Sequence, residues 1–194
     1  MQPRAEPTSC SRCKKNTRLK EAEYCRHCLA EVIENRVSRK LDTLRDPKGR
    51  LITGKILIAC ADKNSLSFAA ADYIARKLRK NNGLTLRIKD AQAIIMPECA
   101  DDIAANFVER LTASSMGKSR SLKGLSKLPK HGAATINIFE SITEKELGLY
   151  AAIKRIKYTK GKNTDLKQKI QKLQARYPGT IEALAQSSRQ MGEI

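Results

Sequence analysis

The stretch Lys55-Ile-Leu-Ile-Ala-Cys60-Ala-Asp-Lys-Asn64-Ser65 joins a short apolar run to a polar turn. A continuous apolar run of this length is typical of a strand that is buried on both faces of a parallel sheet. The alanine-rich, amphipathic stretch that follows predicts a helix through about Leu78. The sequence therefore predicts a strand–turn–helix unit at the start of an α/β domain.

Further strands and helices alternate along the rest of the chain. Strand-like runs occupy residues 84–88, 93–96 and 133–139, and helices are predicted over 101–111 and from the capping box at Thr143 to about Ile156. The runs 84–88 and 93–96 lie too close in sequence for a parallel crossover, so either one is not a strand or the two pair antiparallel. The pattern predicts a small, mostly parallel sheet flanked by helices over residues 51–194.

Two CxxC pairs, Cys10-Ser-Arg-Cys13 and Cys25-Arg-His-Cys28, precede this domain. Two such pairs complete the tetrahedral thiolate shell that Zn²⁺ prefers, so residues 1–28 are predicted to be a tail and a zinc ribbon with a structural metal. A helix and turn over 29–50 connect the two units. An iron–sulfur cluster is the main alternative. Disulfides are disfavoured because residues 1–9 lack the apolar segment of a signal peptide, which also predicts a cytoplasmic protein.

The chain is strongly basic, with 38 Lys and Arg against 20 Asp and Glu, a formal net charge of +18. This excess predicts a polyanionic partner, nucleic acid by default, and aromatic residues are so few that phosphate contacts should dominate binding. No apolar run approaches the ~18–20 residues of a membrane span. Residues 113–132 read as a flexible basic loop that contains His131. The candidate phosphate contacts are Lys14, Lys15, Arg18, Lys118, Arg120, Lys123, Lys127, Lys130, Lys157, Lys160 and Lys162.

The turn after the first predicted strand resembles the SGGxDS phosphate loop of PP-loop ATP pyrophosphatases, with Lys63, Ser65 and Leu66 in matching positions. Both glycines of that signature are replaced. Asp62 puts a side chain and a negative charge where the resemblance would place pyrophosphate, so we do not expect ATP to bind. The degenerate nucleotide loop consists of Cys60, Ala61, Asp62, Lys63, Asn64 and Ser65.

Three more stretches are similar, in the same order, to the cytosolic tRNA 2-thiolation proteins of this family. Residues 94–105 resemble a family strand and its Asp-Asp turn, with Asp101 and Asp102 matching but without the preceding Gly-His pair. Residues 143–151 are similar to the EKExxLYA helix, and residues 177–180 to a C-terminal PGT segment. The CxxC ribbon, with Tyr24 before Cys25, completes a likeness over almost the whole chain.

In that family a catalytic subunit adenylates the wobble uridine of certain tRNAs and transfers sulfur to it. A related second subunit with a degenerate loop acts as its partner, and this chain resembles the second kind. The segment that bears the catalytic cysteines has no room between Lys89 and Ala93, and no cysteine follows the EKE helix. The resemblance implies a non-catalytic subunit that pairs with a catalytic PP-loop thiolation subunit and contributes to tRNA binding.

Two other functions stay open. Cys60 and Cys99 are expected at the same edge of the sheet, where a thiol near a helix N-terminus can have a lowered pKa, so a nucleotide-dependent sulfur transferase is one alternative. The simpler interpretation is that both cysteines act as small apolar side chains that fill space in the core. The second alternative is a free-standing zinc-ribbon RNA-binding protein. Asp101 and Asp102 match a turn that can hold Mg²⁺ in an active relative, but here we expect them to begin a helix.

Overall fold

A computed structural model describes residues 9–15, 24–44, 56–60, 62–78, 91, 93–115, 134–159 and 164–191. Within these residues the elements follow in the order α1 (Arg26–Asp42), β1 (Ile56–Ile58), α2 (Leu66–Leu78), β2 (Ala93–Met96), α3 (Ala100–Ser115), β3 (Ala134–Asn137), α4 (Glu144–Lys154), α5 (Asp165–Arg176) and α6 (Thr180–Gln190). None of these helices combines the length and the apolar character that a membrane crossing requires.

The three strands form one parallel sheet in the order β1-β2-β3. Ala93 of the central strand lies opposite Ile56 on one side and Ala134 on the other. The predicted fold class, a small parallel sheet flanked by helices, is confirmed. Residues 93–96 are the strand parallel to both neighbours, whereas the run 84–88 lies outside the described residues.

Several element boundaries differ from the prediction. The strand predicted over 133–139 ends at Asn137, whose side-chain Oδ1 accepts a hydrogen bond from the Phe139 N–H at 3.1 Å and turns the chain. Helix α3 continues to Ser115, so residues 113–115 of the predicted basic loop are helical. Helix α5 lies in the lysine-rich segment that follows α4, for which no helix was predicted from the sequence.

Local sequence signals fix the ends of the later helices. The capping box predicted at Thr143 is confirmed: its hydroxyl accepts from the Glu146 N–H at 3.2 Å, and the Glu146 carboxylate accepts from the Thr143 N–H at 2.9 Å. Helix α4 ends at Arg155, which adopts the left-handed conformation with φ 56°. Helix α6 follows Gly179, whose φ of 94° favours glycine.

The apolar core consists of two clusters. The first joins α1, α2 and α4 to the sheet, and its largest fully buried side chains include Tyr150 and Phe139. The second lies where α3 meets α5 and α6, and it includes Ile103, Ile170 and Ile181. The helices that follow β3 in sequence are therefore divided between the two clusters, with α4 in the first and α5 and α6 in the second.

Glu34 of α1 ties the first cluster together. Its carboxylate accepts a hydrogen bond from the Tyr150 hydroxyl at 3.0 Å and lies 2.9 Å from the Lys154 ammonium, both on α4. The Lys77 ammonium of α2 donates to the other oxygen at 2.7 Å. Burial opposes the charge of Glu34, but these hydrogen bonds outweigh it and lower the pKa of the carboxyl. One carboxylate thus links three helices.

Replacing Tyr150 by Phe tests this link, because it removes only the hydroxyl that Glu34 binds. We expect Tyr150→Phe to lower the free energy of unfolding by about 1–2 kcal/mol, since a hydrogen bond to a charged group is lost. Tyr158→Phe is the matched control, because Tyr158 is 40% exposed. Urea denaturation measures both variants, and equal stabilities would contradict the role given to Glu34.

Candidate metal centre and phosphate loop

The four cysteines predicted as metal ligands come together at the start of α1. Their sulfur atoms all lie within 4.8 Å of one another, and the sulfurs of Cys13 and Cys25 are 3.7 Å apart. The first pair is shaped by a tight turn, in which the Lys14 N–H donates to the Cys10 carbonyl at 2.9 Å and Lys14 has φ 58°. In the second pair, Cys25 is the N-cap of α1 and Cys28 lies in its first turn.

Two of the four thiols have pKa values that are shifted in opposite directions. Hydrogen bonds from the backbone of Cys13 and Cys25 lower the pKa of Cys10 to about 6, whereas burial raises the pKa of Cys28 to about 12. Metal binds the thiolate form, so Cys28 must release a proton when a metal is bound. We therefore expect metal affinity to rise with pH.

The sulfur spacing fits a single tetrahedral ion. Zn–S bonds of about 2.3 Å place the sulfurs of a tetrahedral site about 3.8 Å apart, close to the observed separation of Cys13 and Cys25. A four-iron cluster binds each of its thiolates to a different iron, which spreads the sulfurs further apart.

The His27 imidazole is 81% exposed and lies 3.1 Å from Glu31, so it faces away from the cysteines. Lys14 and Lys15 are exposed beside the cluster, and Arg18 lies outside the described residues.

The turn that resembles a phosphate loop satisfies its own backbone. The Asp62 carboxylate accepts a hydrogen bond from the Asn64 N–H at 2.8 Å, and the Ser65 hydroxyl accepts from the Phe68 N–H at 3.2 Å at the start of α2. The Cys60 thiol donates to the Asp62 carbonyl at 3.4 Å. Phosphate loops bind their ligand with free backbone N–H groups at a helix N-terminus. These two amides are therefore already occupied by side chains of the turn itself. Ala61 lies outside the described residues.

Backbone amides at the carboxyl ends of β2 and β3 are occupied in the same way. Each is bound by a side-chain oxygen: Asp102 accepts from Cys99 N–H at 3.1 Å, Asn137 from Phe139 N–H at 3.1 Å, and Asp101 from Glu144 N–H at 2.7 Å. The side-chain nitrogen of Asn137, in contrast to these backbone amides, is buried and has no hydrogen-bond partner among the described residues.

Asp101 and Asp102 begin α3, as expected. Asp101 is only 4% exposed and also accepts a hydrogen bond from the Gln171 amide of α5 at 3.3 Å. The Lys167 ammonium, also on α5, pairs with Asp102 and lies 3.4 Å from Glu144. Although burial opposes its charge, Asp102 raises the pKa of Lys167. A lysine thus provides the positive charge that a Mg²⁺ ion can supply to such a pair of carboxylates.

The possibility that a helix N-terminus lowers the pKa of Cys99 is wrong. Cys99 is 1% exposed, and burial together with the charges of Asp102 and Asp101 raises the pKa of its thiol well above the ordinary value. Its Sγ donates to Asp102 Oδ2 at 3.0 Å. Cys99 is therefore a protonated, buried thiol at neutral pH, which favours the space-filling interpretation.

The predicted basic residues are partly brought together. Lys63 and Lys157 line one groove, because the Thr159 N–H donates to the Asn64 carbonyl at 2.7 Å and joins the two segments. Sequence reasoning missed Arg76 and Lys77, which line the same groove from α2. Their helical spacing placed them on α2 but not on this surface. The following predicted contacts, and His131, lie outside the described residues: Lys118, Arg120, Lys123, Lys127, Lys130, Lys160 and Lys162.

No protein-family model and no curated protein matches the chain. Among solved structures, the U34-tRNA thiolase NcsA from Methanococcus maripaludis, with its [4Fe-4S] cluster, is similar with a TM-score of 0.70. The sequences are 14% identical, and the match covers 96% of this chain and 88% of the thiolase chain. The chain therefore has the fold of a tRNA thiolase along nearly its whole length.

Replacing a single clustered cysteine tests the metal centre. We expect Cys28→Ser to lose the bound metal and to unfold at a lower temperature, because the fourth thiolate of the site is removed. Cys60→Ser is the matched control, since Cys60 lies outside the cluster, and it should keep one metal ion per chain. Elemental analysis of the purified proteins gives both the amount and the identity of the metal. Equal metal content in the two variants would contradict the assignment.

The occupied amides of the loop lead to a second prediction. We expect calorimetric titration of the full chain with ATP and Mg²⁺ to give no binding heat, because Asp62 repels phosphate and engages the Asn64 N–H. Titration with pyrophosphate should also be silent. Stoichiometric binding of either ligand would show that the turn still accepts phosphate.

Proposed function

We propose that this protein is a non-catalytic subunit in the 2-thiolation of tRNA wobble uridine. It pairs with a catalytic PP-loop thiolation subunit in the cytoplasm and contributes to tRNA binding. The observation that carries the proposal is a thiolase-like fold over 96% of the chain, combined with a phosphate loop whose Asn64 amide is bound by Asp62.

The chemistry of Cys99 supports a role without catalysis. A sulfur carrier acts as a thiolate and must be accessible to its reaction partner. Cys99 is buried, and its pKa is raised rather than lowered. A sulfur transferase that uses Cys60 and Cys99 would need a thiolate at a position where burial and two aspartates disfavour it.

We propose Zn²⁺ for the cysteine cluster, in a structural role. The separation of 3.7 Å between Cys13 and Cys25 supports one ion rather than a multi-iron cluster. Cys10 and Cys28 are nearly inaccessible to solvent. A site with four cysteine ligands has no open coordination position, and structural zinc sites share this property.

Deletion of the gene in its native host tests the proposed function. We expect tRNA from the deletion strain to lose wobble 2-thiouridine, measured by mass spectrometry of digested nucleosides, and complementation with the intact gene to restore it. Complementation with Cys60→Ser should also restore it, because the proposed role needs no catalytic thiol at that position.

Purification of the tagged protein from native cells provides the second part of the test. The proposal predicts that a PP-loop thiolation subunit co-purifies with it. Recovery as a lone monomer, together with an unchanged 2-thiouridine content in the deletion strain, would overturn the proposed function. Tight RNA binding by that monomer would instead favour the free-standing RNA-binding alternative.

A further inference from the structure

An open groove of about 640 Å³ lies between α2 and the residues that end α4 and follow it. Its lining is strongly basic, and Asp72 is the one acidic residue among the described residues that line it. Phe68, Tyr73 and Ile156 make part of its lining apolar. The cationic residues that line it are Lys63, Arg76, Lys77, Lys154, Arg155 and Lys157.

Half of these cations are engaged in structural ion pairs. Arg76 binds Asp72 through its Nε at 2.8 and 2.9 Å, and both Lys77 and Lys154 bind Glu34. These pairs hold the walls of the groove in place, and their three cations and two carboxylates leave one net positive charge. Most of the positive charge available to a ligand therefore comes from the other half.

Lys63, Arg155 and Lys157 are exposed and have no acidic partner among the described residues. Their backbone positions are nevertheless fixed. Lys63 lies in the turn before α2, which is joined to the segment after α4 by the hydrogen bond from Thr159 N–H to the Asn64 carbonyl. Arg155 is held in the left-handed conformation by the C-cap of α4. Three free cations are thus arranged along one groove.

The shape and chemistry of the groove favour an extended polyanion over a small phosphate. A compact phosphate site uses converging backbone amides, and the nearby amides of Asn64 and Phe68 are bound by side chains. A lining that combines several cations with aromatic rings is what single strands of nucleic acid require, since phosphates contact the cations and bases or riboses contact the rings. Tyr73 is positioned for this by its edge-to-face contact with Tyr150, with ring centroids 6.3 Å apart.

We propose that this groove binds the sugar–phosphate backbone of RNA, with Lys63, Arg155 and Lys157 contacting successive phosphates. The inference rests on the proposed function for its choice of RNA, and it adds the surface that holds the RNA. It also gives Lys63 a new role. This lysine matches a position in a nucleotide-binding loop, and here it contacts an RNA phosphate instead of a nucleotide. Glu34 takes part indirectly, since it holds two lysines of the groove wall.

Binding of a fluorescently labelled tRNA transcript to the full chain, measured by anisotropy over a series of salt concentrations, tests this proposal. The groove variant combines Lys63→Gln, Arg155→Asn and Lys157→Gln; Asn is used at position 155 because it tolerates the left-handed conformation. We expect a dissociation constant about tenfold to a hundredfold higher near 0.1 M salt. The slope of log affinity against log salt should fall by about two to three.

The matched control removes the same charge elsewhere. It combines Arg39→Gln on α1 with Lys172→Gln and Arg176→Gln on α5, all exposed positions without an acidic partner among the described residues. α5 packs on α3 and α6 rather than on the groove. The control should keep the wild-type salt slope to within about one, because none of its residues contacts a phosphate in the groove. An equal loss in both triple variants would overturn the proposal in favour of diffuse electrostatic attraction.

Two other outcomes would overturn the proposal. Absence of tRNA binding by the wild-type chain overturns it, as does displacement of the tRNA by stoichiometric pyrophosphate, which would indicate a small-phosphate site. If the triple variant melts at a lower temperature than the wild type, the single variants Lys63→Gln and Lys157→Gln replace it, and each should lower the salt slope by about one.

Different experiments would contradict the proposed function and the proposal that the groove binds RNA. Loss of 2-thiouridine on deletion, together with unchanged tRNA binding by the groove variant, retains the function and rejects the groove. Weakened binding by the groove variant, with unchanged 2-thiouridine in the deletion strain, retains the groove as an RNA site and rejects the thiolation role.

Discussion

The occupation of backbone amides at the carboxyl edge of the sheet is the constraint on which the properties of this protein depend. In an open α/β sheet this edge binds ligands, because helix N-termini and turns present free N–H groups there. In this chain, side-chain oxygens accept from amides at the ends of all three strands, as with Asp62 and Asn64, Asp101 and Glu144, and Asn137 and Phe139. The hydrogen-bonding capacity that binds phosphate elsewhere is used here to hold turns and helices together.

The same edge shows how carboxylates that match a metal-binding turn can become structural. Asp101 connects the start of α4 to Gln171 of α5, and Asp102 pairs with Lys167. A buried carboxylate is costly unless its lone pairs are satisfied, and these contacts satisfy them. Lys167 supplies a positive charge to Asp102, whereas Asp101 is held by two hydrogen bonds.

The fold divides the basic side chains into two groups, those paired with carboxylates and those exposed to solvent. Some cations pair with carboxylates that join helices, as Lys77 and Lys154 both do with Glu34. Others, such as Lys63 and Lys157, stay exposed on the groove. Helix α1 connects this arrangement to the metal centre, since it begins at the cysteine pair and carries Glu34 in its middle. Helix α1 therefore holds part of the cysteine cluster and also contacts two lysines of the groove wall through Glu34.

Features that depend only on neighbouring residues could be predicted from the sequence. The CxxC pairs, the strand–turn–helix at Cys60 and the capping box at Thr143 are local patterns, and the structure contains the cysteine cluster, β1 with α2, and the capped α4. The tertiary structure alone decided the pairing of Lys167 with Asp102, the contact of Glu34 with Tyr150, the raised pKa of Cys99 and the convergence of Lys63 with Arg155 and Lys157. These features join residues from different helices and turns, and no periodicity or spacing in the sequence encodes which distant side chains meet. Burial, which sets the protonation of Cys99, likewise arises only when the helices pack together.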